Sequence, residues 1–118
     1  MRALALALML AACPAAAEEA INGTLPADPV KRVALLAGAA AFVESNCQTL
    51  RPDWKAVQIA VAANNFHADA LGKPPLVDEI RREVATWRFT NANLSCETIE
   101  ALFGPNGASI EGLVVRGR

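Results

Sequence analysis

The chain predicts an all-α fold, a small four-helix domain stapled by one disulfide, and three observations predict it. Apolar residues recur at steps of three and four along most of residues 29–103. The breaks between those stretches carry proline, glycine, asparagine and aspartate. Two cysteines, Cys47 and Cys96, remain once an N-terminal leader is set aside, and between them lie many of the large apolar side chains, both tryptophans and the one histidine.

A length of 118 residues allows one domain. Apolar residues make up 53%, yet only 5% of the chain is aromatic, so alanine must supply much of the core. Charged residues are 19% and the formal net charge is −1. That balance leaves no electrostatic footprint for nucleic acid or an anionic membrane surface.

Residues 1–17 read as a signal peptide, 18–27 as a tether or loop, and 28–118 as the helical domain. Met1-Arg2 is a minimal positive start, and Ala3 to Leu10 is an apolar run too short to span a bilayer. Ala15-Ala16-Ala17 supplies the small residues for cleavage after Ala17. Leu10-Ala11-Ala12-Cys13 also matches a bacterial lipobox, in which Cys13 is lipidated and anchors the chain to the envelope. Both alternatives export the chain, to the periplasm or beyond. In an oxidising compartment Cys47 and Cys96 are then expected to pair. They are too far apart for a CxxC redox motif, and no CxxCH haem signature occurs.

The first helix is expected over 29–50. Asp28 is a good cap, and Pro29 loses nothing at the first helical position. Val33, Leu36, Ala40, Val43, Cys47 and Leu50 form its apolar stripe, and Arg51-Pro52 ends it. A second helix is expected over 53–64, apolar on two sides: Trp54, Val57, Ala60 and Val61 on one, Ile59, Ala62, Ala63 and Phe66 on the other. Such a helix reads as central. Residues 66–73 connect it to a third helix, 75–89, with a stripe of Val77, Ile80, Val84 and Trp87. Asp78 and Glu79 in its first turn and Arg88 in its last suit the helix dipole. The last helix, 94–103, carries Cys96, Ile99 and Phe103 on one side and stops at Gly104-Pro105. Ile110, Leu113, Val114 and Val115 follow as a short extended tail.

Chemistry is sparse. His67 stands in His67-Ala68-Asp69, but no second histidine or free cysteine pair completes a zinc site, so it reads as a loop residue. No GxSxG, HExxH, P-loop or GxGxxG pattern occurs, tyrosine is absent, and no cofactor is expected. Trp54 and Trp87 read as core residues. Arg81, Arg82 and Arg88 alternate with Asp78, Glu79 and Glu83, which reads as a solvated helix face with ordinary Asp78–Arg82 and Glu79–Arg82 pairs.

The segment CETIEALFGPNGASIEGLV, Cys96 to Val114, resembles the C-terminal end of small, exported, two-cysteine helical proteins of alphaproteobacteria, a group without an assigned function. The architecture, small, helical and closed by one disulfide across a similar separation, is similar to periplasmic acid-stress chaperones of the Hde type. Those are richer in lysine, and this chain is richer in arginine and more apolar.

The expected function is a non-enzymatic binding domain for a partner protein or small ligand. An acid-stress chaperone, opening as its twelve acidic groups protonate, is the alternative. An enzyme with a site near His67 is the third.

Overall fold

A computed structural model describes residues 25–117. The leader, Cys13, the Ala17 cleavage point and most of the tether lie outside the described residues. Four α-helices, one 3₁₀ turn and a two-stranded ribbon make one mostly helical domain: α1 Pro29–Asn46, β1 Leu50–Pro52, α2 Trp54–Ala63, a 3₁₀ turn Ala68–Gly72, α3 Leu76–Phe89, α4 Ala92–Phe103 and β2 Val114–Arg116.

Helix α1 is the hub. The Asp28 side chain accepts from the Val30 amide at 3.1 Å, and Pro29 opens the first turn. From Val33 to Ala40 every residue is buried, followed by Phe42 and Val43. α1, not α2, is therefore the helix enclosed on all sides. The reason is side-chain size: alanines and Gly38 leave a cylinder slim enough for neighbours to close around it. α2 lies at the periphery instead, burying Val57 and Val61, while Ile59 is 64% exposed and Ala62 and Ala63 face solvent. Its start is set by Asp53, which accepts from the Ala56 amide at 3.2 Å. Its end is tied to α1 by Arg32, whose guanidinium donates to Asn64 Oδ1 at 2.9 Å. The same Arg32 donates to the carbonyls of Pro26 and Ala27, so the last residues of the expected tether are held against the domain.

The first helix ends four residues earlier than its apolar stripe predicts. Cys47 already has extended dihedrals, and its amide donates back to the Val43 carbonyl. Leu50 is buried, but from a strand. β1 pairs antiparallel with β2, with Leu50 opposite Arg116, Arg51 opposite Val115 and Pro52 opposite Val114. Hydrogen bonds from Asp53 N to Leu113 O (2.8 Å) and Gly117 N to Thr49 O (3.1 Å) extend the ribbon at both ends. Proline lacks an amide, which suits an edge position. The apolar tail is thus a strand that buries Leu113 and Val114, and the fold is mostly helical with a small sheet.

α3 runs as expected from just after the Pro74-Pro75 cis bond. α4 starts two residues earlier than expected, because the Asn91 side chain caps it by accepting from the amides of Asn93 and Leu94. Its end is closed by the Gly104 amide, which donates to Glu100 O at 2.8 Å. A β-carbon at Gly104 would sit 2.4 Å from that same carbonyl oxygen.

Candidate functional site

Cys47 and Cys96 are bonded, with Cα atoms 5.9 Å apart. Cys96 lies on α4, as expected, in its second turn. Cys47 lies just past the end of α1, so the bond joins a helix to an extended segment. Cys47 is buried and Cys96 half-buried, its Sγ 4.0 Å from the Asn46 carbonyl.

A cleft of about 440 Å³ opens beside this bond. Asn46, Cys47, Gln48 and Thr49 form one wall; Asn93, Cys96 and Glu97 form the other. Both walls exist because the chain turns sharply there: α1 stops at Asn46, and α4 starts under the Asn91 cap. The walls offer side-chain amides, a hydroxyl and a carboxylate, groups that hydrogen-bond to a polar ligand or to another backbone.

Beside the cleft the chain leaves apolar surface uncovered. Leu94 follows Asn93 in sequence and is 51% exposed; Phe89, at the C-terminal end of α3, is 92% exposed. The two stand on either side of the Thr90–Asn91 turn. Buried Ser95 bridges that turn by donating to the Trp87 carbonyl at 2.8 Å, and this carbonyl belongs to the last turn of α3.

The other expected features go elsewhere. His67 is 97% exposed and stands 3.9 Å from Asp69. Asp69 in turn pairs with Lys73 at 3.3 Å, and this contact holds its carboxyl below the usual carboxylate range. Among the described residues no group of three or more His, Cys, Asp or Glu side chains is placed to hold a metal ion, and no helix is long and apolar enough to cross a membrane. Trp87 is buried, as expected. Trp54 is not a core residue: it is 38% exposed, and its indole donates to Glu44 Oε2 at 2.8 Å. A polar handle makes that partly wet position tolerable.

α3 carries the most consequential difference. Its inward stripe is Leu76, Ile80, Glu83 and Trp87 rather than Val77, Ile80, Val84 and Trp87. Arg82 pairs with Glu79 and Arg81 with Asp78 (3.9 Å) on the outer face, but Glu83 does not share that face. A β-carbon built on Gly38 of α1 would stand 2.6 Å from Glu83 Cβ. Glu83 Oε2 is enclosed without a hydrogen-bond partner, and burial, with a smaller contribution from Glu79, pushes its carboxyl up to about 7. Trp87 Nε1, one turn along, is likewise enclosed and unpartnered. The signal in the sequence was Gly38: a glycine inside an otherwise alanine-rich helix marks a close approach by a neighbour.

The chain matches no protein-family model, no curated protein and no solved structure.

Proposed function

We propose that the protein is an exported, non-enzymatic binding domain that engages a partner through the turn between α3 and α4 and the polar cleft beside it. The observation that carries this reading is Phe89, 92% exposed at the end of a helix, with Leu94 across the turn from it. Large apolar side chains left bare on both sides of a turn, one of them next in sequence to cleft-lining Asn93, are what a protein surface or a peptide segment uses as an anchor. Export is supported by the leader and by a disulfide of a kind that persists in oxidising compartments.

The acid-stress chaperone draws no support from Glu83. Protonation of that carboxyl removes a buried charge, so its contribution tightens the fold as pH falls from neutral.

A photo-reactive residue at position 89 of the exported protein tests the reading. It should give one discrete adduct in the cell envelope. Added wild-type protein should compete that adduct away, and the Phe89→Ser, Leu94→Ser double variant should not. A smear no different from that obtained at exposed Gln58 would overturn the proposal. Intact mass of the exported protein separates a chain starting at Glu18 from one acylated at Cys13.

A further inference from the structure

We infer that Glu83 and Trp87 form a pH-sensitive catch in the seam between α1 and α3, in which the protonation state of the Glu83 carboxyl sets how tightly the two helices close. Two independent features of the packing lead there. The first is the contact at Gly38, where the α1 backbone comes so close to Glu83 that no β-carbon fits between them. The second is a pair of enclosed polar atoms on one face of α3, an acceptor at Glu83 Oε2 and a donor at Trp87 Nε1, each without a partner although they lie one helical turn apart.

Neutral, the carboxyl tolerates this enclosure. Once it releases its proton to solvent, an enclosed carboxylate oxygen requires water or a donor. With Glu83 Cβ pinned against Gly38, water reaches the enclosed oxygen, Oε2, in its present position only if α1 and α3 part locally. The enclosed, unpartnered donor one turn along the same face is the Trp87 indole. Either route moves Trp87 into a more polar setting.

The surroundings leave Glu83 to titrate by itself. On its own helix Glu79 bears on it, and Glu79 is paired with Arg82. Between Arg32 and Glu44, α1 carries no charged residue. On α4, Glu100 is bound to Arg116 and Glu97 faces the disulfide cleft. In the 3₁₀ turn Asp69 is held by Lys73 at the surface. The burial that disfavours the charged form brings the midpoint to about 7, within reach of ordinary changes in an extracellular medium.

The test uses the disulfide-bonded protein with Trp54→Phe, which leaves Trp87 as the single tryptophan. Its fluorescence is followed from pH 5 to pH 9. The expected result is one transition with a midpoint near 7 and a red shift on the alkaline side, abolished by Glu83→Gln and retained in His67→Gln. Gly38→Ala, which wedges the seam open, should move the midpoint down toward the usual glutamate range. The inference fails if no transition occurs, if it survives Glu83→Gln, if it disappears with His67→Gln, or if Gly38→Ala leaves the midpoint unchanged or raises it.

Discussion

Gly38 in α1 lies directly against Glu83 in α3, so close that a β-carbon at Gly38 would stand 2.6 Å from Glu83 Cβ and 3.5 Å from the Ile80 carbonyl oxygen. The broadest helix pairing among the described residues therefore hinges on the absence of one methyl group.

Gly38→Ala should lower stability despite alanine's better helix propensity. Propensity favours alanine by about 1 kcal/mol. Overpacking against a β-carbon, which cannot swing aside as a side-chain tip can, costs about 1–3 kcal/mol. A net loss of up to about 2 kcal/mol in urea unfolding is expected. An unchanged or raised midpoint would show that the helices separate freely.

The pH dependence of stability follows from Glu83. Its folded-state carboxyl titrates at about 7 against an ordinary value of 4.5, so the fold prefers the protonated form. The resulting penalty is absent below about 4.5, grows as pH rises, and is complete above about 7. At full size it amounts to no more than about 3 kcal/mol. Wild-type melting temperature should thus fall between pH 5 and pH 8, and Glu83→Gln should flatten that fall and be the more stable protein at pH 8. Parallel profiles for the two proteins would contradict this.

The Cys47–Cys96 bond closes a separation of 49 residues. In the chain-entropy model such a crosslink contributes on the order of 4 kcal/mol, a large share of a typical net stability of about 5–15 kcal/mol. Reduction, or Cys47→Ser, should lower the melting temperature by more than roughly 10 °C. Reduced and oxidised protein melting together would exclude the staple as a source of stability.

Ser95 is a buried polar residue whose hydroxyl satisfies the Trp87 carbonyl near the end of α3. Ser95→Ala leaves that carbonyl without its partner and should cost about 1–2 kcal/mol. Amide exchange at Arg88 to Asn91 should accelerate with it, since the turn that presents Phe89 and Leu94 loses its anchor.

Much of the helical scaffold was legible because it is encoded locally. Asp28-Pro29, Asp53 and Gly104-Pro105 act through hydrogen bonds or backbone limits within a few residues, and the structure uses all of them. The pairing of Cys47 with Cys96 followed from cysteine number and spacing. Periodicity failed where two phases compete. On α3 both Val77–Val84 and Leu76–Glu83 fit a helical stripe, and a glutamate argues for the outer face. The structure took the second because Gly38 opposite offers room for the Glu83 stem and no valine-shaped hollow is needed there.

By itself the sequence determined the number of helices, where most of them begin, the staple and the exclusion of familiar catalytic motifs. Each of these depends on caps, prolines, spacing and residue type, which act over short stretches of chain. Only the tertiary structure decided that α1 is the enclosed helix, that the tail is a strand, that Phe89 is bare, and that Glu83 is shut against Gly38. Those outcomes depend on which surfaces meet across long stretches of chain, as Leu50 does with Arg116 and Gly38 with Glu83. A slim alanine helix can be approached from any side, so its own pattern does not say which neighbour arrives, or with what side chain.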